Sequence, residues 1–441
     1  MKRINNSLIA ASFFIVSVAT IQAQERKLLT LNEAVQLGIQ NSKNLKVDAA
    51  KIEEATANLL EAKNRQLPEL TASAAYMRLT NANVDLKFLQ ESGAVGSGKM
   101  SSPNSALIGQ ANFSMPLYAG GRIKYGIESS KYLVEASKLN AENDQVSIAY
   151  NISQAYNNLF KAHQAIKVLE ENLTAAVQRD ETFLKLENNG VIARNDRLKA
   201  NLQTSNIELQ LLEAKNNYNI ANINMDLLLG LPDNTEIEVD PHYIDEVEEV
   251  KSLEYYLTQA QENRKDLQVL EQQRKAASLG SKAAKGEELP TIALTGNYFA
   301  ANVPTYLTLY NGVSFGIGVQ YNLANIWKQN SSYKQSVAKE KQLAATNEML
   351  QDNIKLEVNK EYLNTNYSKQ RISVFEKSAI QANENYRITK NKYDNGLATM
   401  TELLDADAAQ ISANVGVINA KADATLAYRK LLQTTGILTT K

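Results

Sequence analysis

Residues able to do chemistry are few in this sequence. It has no cysteine and only two histidines, His163 and His242. Disulfides, thiolate metal sites and a cysteine nucleophile are therefore excluded, and one chain has no multi-histidine metal site. His163 falls on an apolar helical face, where packing is its expected role. Acids are plentiful but spread along helical segments, and no carboxylate pair stands out as a general acid and base. No Gly-rich phosphate loop and no nucleophile-with-base motif is present. The sequence points away from an enzyme and implies no cofactor and no metal. Lys and Arg total 47 against 48 Asp and Glu, a balance that argues against a nucleic-acid partner.

The N-terminus reads as a secretory signal over residues 1–23. Lys2 and Arg3 form the basic start, Leu8 to Ile21 the apolar stretch, and Ala23 the last residue before cleavage. A short membrane anchor is the alternative, but the stretch is too short to span a bilayer. The lack of cysteine excludes a lipid-anchored N-terminus. No later run is apolar enough for a transmembrane helix, so membrane entry requires strands closed into a barrel.

A tandem repeat organises the chain. Leu31, Asn41, Lys43, Leu45, Val47, Ala55, Ala62, Lys63, Leu67, Pro68 and Tyr76 recur without a gap as Leu253, Asn263, Lys265, Leu267, Val269, Ala277, Ala284, Lys285, Leu289, Pro290 and Tyr298. Further on, Tyr156, Asn189-Gly190, Leu198, Ala200, Ala221 and Gly230 recur as Tyr362, Asn395-Gly396, Leu404, Ala406, Ala427 and Gly436. The offset changes because the loop around Asn81 to Ser105 is longer than its counterpart around Asn302 to Asn311. The expected domains are residues 24–230 and 253–441, with a linker at 231–252. Each copy reads as a helical segment stopped at Leu-Pro, a strand pair, and two long helices around an Asn-Gly turn.

The strands alternate. Leu70, Ala72, Ala74 and Tyr76 oppose Thr71 and Ser73. Leu107, Ala111, Phe113, Met115 and Leu117 oppose Gln110, Asn112 and Ser114. Ile292, Leu294 and Tyr298 oppose Thr291, Thr295 and Asn297. Val313, Phe315, Ile317, Val319, Tyr321 and Leu323 oppose Ser314, Gly316, Gly318, Gln320 and Asn322. Runs of about ten residues suit tilted strands crossing a bilayer, with the small polar face toward a wet lumen. Alternation alone fits a half-buried soluble sheet equally well; the signal and the repeat favour the barrel. Four strands cannot close around a useful lumen, so several chains must contribute.

From Gly121 to about Leu186 there is no proline, and such a helix measures about 100 Å. Ala149, Ile152, Tyr156, Leu159, Ile166, Leu173 and Val177 recur at coiled-coil spacing, with His163 on the same seam. The glycine of each Asn-Gly turn permits the left-handed backbone that ends a helix, and the next helix runs back antiparallel.

This layout resembles the TolC outer-membrane efflux family over essentially the whole mature chain. The most specific stretch is Tyr393 to Asp407, a Gly-containing turn followed by a helix bearing Leu-Leu-Asp-Ala; Asn189 to Ala200 is a weaker copy. The resemblance implies an α+β membrane protein with a tandem internal repeat. Four β-strands per subunit would contribute to a trimeric twelve-stranded β-barrel, and very long α-helices would form a periplasmic coiled-coil α-barrel. It implies a homotrimer in outer-membrane lipid that works with a periplasmic adaptor (membrane fusion) protein and an inner-membrane pump of RND or ABC type. The expected function is the passive exit duct for small molecules such as drugs. Type I protein secretion and a non-channel coiled-coil spacer are the alternatives.

The resemblance also implies site residues. Glu402 and Asp405 match the acids that ring the periplasmic aperture, where a narrow pore would favour cations; a solvated helix face is the plain alternative. Tyr393 and Asp196 match a phenol–carboxylate contact that holds the tip closed. The family's basic partner is replaced by Ala398, and Arg194 is the nearby substitute. Asn189, Gly190, Asn395 and Gly396 form the turns expected to touch the adaptor. Tyr76, Tyr298, Phe299, Tyr306, Tyr310 and Tyr321 suit either an interfacial aromatic girdle or plain β-propensity. Trp327 suits the interface or the barrel-to-helix junction.

Overall fold

The computed structural model describes residues 26–80, 103–245, 249–304, 307–328 and 330–439. The expected signal, Tyr306 and nearly all of the loop from Asn81 to Ser105 lie outside them. In chain order the elements are β1 (Arg26–Leu29), α1 (Leu31–Asn41), α2 (Lys43–Asn64), β2 (Glu69–Arg78), β3 (Ser105–Ala119), α3 (Arg122–Asn188) and α4 (Arg194–Leu229), then β4 (Glu236–Val239), α5 (Leu253–Asn263), α6 (Lys265–Lys285), β5 (Thr291–Val303), β6 (Leu307–Gln320), α7 (Ser331–Asp394) and α8 (Met400–Thr434). No described helix is long and apolar enough to cross a membrane. The helical segment expected before each Leu-Pro is two helices. Ser42 divides the first pair and caps α2 by accepting from Leu45 N; Arg264 divides the second.

The described residues form two compact units, and each draws on both repeats. The first comprises 26–41, 152–245 and 372–423. In it β1 pairs in parallel with β4. The linker expected at 231–252 thus carries a strand. Tyr156 fastens this pair: its hydroxyl donates to Leu29 O and accepts from Asp240 N, both at 2.8 Å. Burial pushes this phenol up to about 12, against the Asp240 N–H that favours its anion. Asn222 accepts from Ile237 N at 2.9 Å, satisfying a second buried backbone group. α4 ends at Gly230, in the left-handed region at φ +68°, with Pro232 following.

The helical seam departs from its expected course. Ala149, Ile152, Tyr156 and Leu159 are buried, but Val177 is 40% exposed. Leu169, Ala176 and Phe183 take over the seam, because an undistorted helix drifts round relative to a strict heptad. His163 packs beside Tyr218, ring centroids 6.0 Å apart.

The second unit comprises the described parts of 42–151, 249–371 and 424–439 and holds an antiparallel sheet in the order β2-β3-β5-β6. Its register joins Leu70 to Phe113, Ala111 to Tyr298, and Leu294 to Ile317. One face of all the strands is therefore apolar and the other small or polar. Asn297 donates to Asn112 across the polar face at 2.9 Å. The apolar face is uncovered, with Leu70 73%, Ile317 68% and Phe315 78% exposed. Gly296 makes room for Phe315, since a Cβ there would lie 2.8 Å from its ring.

Three details differ from the expected strands. A bulge between Pro116 and Tyr118 puts Tyr118, not Leu117, opposite Ile292, as proline cannot donate to the ladder. β6 ends at Gln320, so Tyr321 and Leu323 lie beyond it. Most of the loop expected at Asn302 to Asn311 is strand; Asn311 takes φ 57° beside an irregularity in the β5–β6 ladder. Trp327 is 70% exposed.

Candidate functional site at the helical hairpin tips

Both tips lie in the first unit and share a backbone solution. At the first, Gly190 N donates to Glu187 O and Val191 N to Leu186 O, both at 2.9 Å. At the second, Gly396 N donates to Tyr393 O at 2.9 Å and Leu397 N to Lys392 O at 2.8 Å. Gly190 and Gly396 both have φ +72°. These paired bonds satisfy the last carbonyls of α3 and α7 and turn the chain back within a few residues. Asn189, Gly190, Asn395 and Gly396 are all exposed.

The helices that leave the turns start differently. At the second tip Thr399 N and Oγ1 donate to Glu402 Oε2 at 2.6 and 2.9 Å, and Glu402 N donates to Thr399 Oγ1 at 3.2 Å. This is a reciprocal capping box at the start of α8. Those two bonds from Thr399 hold the Glu402 carboxyl below its ordinary range. At the first tip the N-cap is Ala193, which has no side-chain bond to give. Asp196 stands where Glu402 stands in the repeat and lies 3.8 Å from Lys199 Nζ.

Tyr393 packs against Phe183 with the rings tilted at 58°, centroids 5.8 Å apart. It belongs to an apolar cluster built on Phe183, Ala200 and Met400. Burial, then the charges of Asp196 and Asp394, raise its phenol above the usual value. No Tyr393–Asp196 hydrogen bond forms within the chain. Arg194 is exposed and makes no ion pair among the described residues. Asp405 is exposed one turn beyond Glu402, the two on one face of α8.

Sequence reasoning missed the charges that are engaged. Arg197, not Arg194, pairs within the first tip, 3.3 Å from Glu187 and 3.8 Å from Asp180. Arg179 of α3 pairs with Asp407 of α8 at 2.9 Å, with side chains only 15% and 7% exposed, and reaches the Tyr386 hydroxyl at 3.4 Å. Burial works against the Arg179 charge, but the bond and charge of Asp407 outweigh it and raise the guanidinium. The available signal was the seam itself: read on from Leu169, Leu173 and Ala176, it meets Asp180, a charge where an apolar residue belongs.

An exposed apolar sheet face joined in one chain to very long helical hairpins defines a subunit of a barrel-forming membrane channel. The family described as "Outer membrane efflux protein" matches residues 34–231 and 256–437, and the chain belongs to it. It is an outer-membrane efflux channel protein, not an enzyme. The sequence matches no curated protein. Among solved structures it is similar to a membrane protein from Pseudomonas aeruginosa, at 17% identity and TM-score 0.77, covering 92% of this chain and 90% of that one. It is similar to the outer membrane protein VceC of Vibrio cholerae, at 16% identity and TM-score 0.75, covering 92% and 96%. The Campylobacter jejuni CmeC outer membrane channel matches at 18% and 0.74, covering 92% and 86%. Likeness at such identity concerns the fold.

Proposed function

We propose that this protein is the exit duct of a tripartite efflux system, passing small molecules outward from an inner-membrane pump of RND or ABC type through a periplasmic adaptor. The observation that carries this reading is the sheet, with an exposed apolar face and, among the described residues, no strand on the outer edges of β2 and β6. Unpaired edges in lipid are prohibitive, and four strands enclose no lumen. Several copies joined edge to edge must therefore close the barrel; three, the number in this family, supply twelve strands and make the proposed working unit a homotrimer. The chain performs no chemistry on what it passes.

Asp405 is the stronger candidate for an aperture charge, because the carboxylate of Glu402 is already committed to its helix cap. Arg194, Asp196 and Tyr393 are offered as contacts between neighbouring chains at the closed tip, and Asn189, Gly190, Asn395 and Gly396 as the adaptor's landing points. The test is accumulation of a fluorescent pump substrate in cells lacking this protein. Raised accumulation, reversed by restoring it, is expected. Unchanged accumulation with loss of a secreted protein would replace this reading by protein export.

A further inference from the structure

The second unit holds a pair of acids that neither the fold nor the channel explains. Asp48 of α2 is 4% exposed. Its Oδ1 takes Lys51 Nζ at 2.9 Å, but no protein N–H or hydroxyl reaches its buried Oδ2. One cleft places a second carboxyl, Asp144 of α3, beside it; burial and then the Asp48 charge raise the Asp144 carboxyl, so a proton on Asp144 is the competitor of a cation at this oxygen. Both line this cleft of about 230 Å³ with Asn44, Lys51, Ser147 and Asn151. A buried carboxylate oxygen without a donor is costly unless a cation supplies what the protein does not.

The repeat provides an internal control. Asp48 corresponds to Leu270 and Asp144 to Leu350 in the second copy. Leu270 is buried, and Leu350 packs against the cluster of Tyr256, Ala260, Ile354, Val358 and Leu431. The second repeat thus carries a leucine at each of the two positions, so acids there are not a requirement of the repeat. Asn44 and Asn151 correspond to Asp266 and Glu357, and there the chain supplies its own cation: Arg264 lies 2.7 Å from each. In the first copy Ser42 replaces Arg264. The nearest cation is Lys51, whose side chain is 61% exposed, and a partner so exposed is readily displaced.

We propose that Asp48 and Asp144 bind a hard divalent cation of the Ca²⁺ class, its oxygen shell completed by Asn44, Ser147, Asn151 and water. Among the described residues no third acid joins them. Two carboxylates with neutral oxygens make a site of modest charge, and the flexible oxygen geometry suits Ca²⁺ better than Mg²⁺. The bound cation does in the first repeat what Arg264 does in the second.

The test is calorimetric titration of CaCl₂ into the detergent-solubilised full chain after EDTA treatment. A Glu402→Gln, Asp405→Asn background removes any uptake at the aperture. Saturable uptake of one Ca²⁺ per chain is expected, with Asp144→Asn weakening it at least about tenfold, the scale for disturbing a metal site. Asp48→Leu with Asp144→Leu installs the second repeat's residues. That variant should fold, and its Tm should no longer rise with Ca²⁺. Wild-type chain that takes up no Ca²⁺ at millimolar concentration, or uptake undiminished in Asp144→Asn, overturns the site.

Discussion

The two hairpin tips turn in one geometry and are held by different physics. Their glycines share φ +72° and equivalent hydrogen bonds. Beyond the turn the first tip is ionic: Arg197 pairs with Glu187 and Asp180. The repeat puts Leu403 in place of Arg197 and Met400 in place of Arg194, and both are buried. The second tip is capped by Thr399 and Glu402; the first has Ala193 and Asp196. Backbone geometry has therefore survived duplication while the side chains specialised. Partly exposed ion pairs contribute little and weaken with salt, whereas apolar burial and a cap persist. The first tip should be the looser of the two.

The largest expected effect is at Asp407. Asp407→Ala leaves the Arg179 charge buried and unpaired, at a cost of about 3–5 kcal/mol. Hydrogen exchange at the tips should accelerate strongly. Asn201→Ala, at the equivalent position of the first repeat, removes only an exposed bond to Asp180 and should change exchange little. Equal effects in the two variants would erase the asymmetry.

Next come the shared glycines. Gly190→Ala and Gly396→Ala each impose a left-handed backbone on a residue with a Cβ, at about 1–2 kcal/mol. A Cβ at either meets nothing within 4 Å, so the cost is conformational and should be alike at both tips. Thermal melts of the two variants that differ widely would show that the turns are not equivalent.

Smaller still, Thr399→Ala removes the cap of α8 at a cost of about 1 kcal/mol. Ala193→Thr with Asp196→Glu should transfer the box and slow amide exchange at the start of α4; unchanged exchange there would refute the transfer.

The smallest effect is of pH. The carboxyl of Glu402 is lowered on folding, so its contribution is present above the ordinary glutamate range and is lost as pH falls through the lowered value. The amides of 400–403 should exchange relatively faster, after correction for intrinsic rates, in that acid window. The Glu402→Gln variant should lose this pH dependence.

Much of the fold was legible because it is periodic. Alternation from Leu70 to Tyr76 and from Val313 to Val319 gave the faces directly, and the Asn-Gly pairs located the turns. The bulge at Pro116–Tyr118 was not readable: an extra residue reverses the alternation beyond it, but Met115, Pro116, Leu117 and Tyr118 are all apolar or aromatic, so the reversal leaves no mark in the residue types. The break at Ser42 escaped because its cap precedes a continuing helical pattern. Among tip residues, position was legible and partnership was not. Glu402 reads as a free acid until Thr399 is seen to bind it. Arg179 and Asp407 are 228 residues apart, and no local spacing joins them. The acids at 48 and 144 escaped for the same reason.

The central claim is that several chains share one barrel, and the direct test is the mass of the protein extracted in detergent from isolated outer membranes, measured by light scattering and corrected for bound detergent. The account predicts a membrane-bound particle of three chains. A monomer, soluble without detergent, would contradict it.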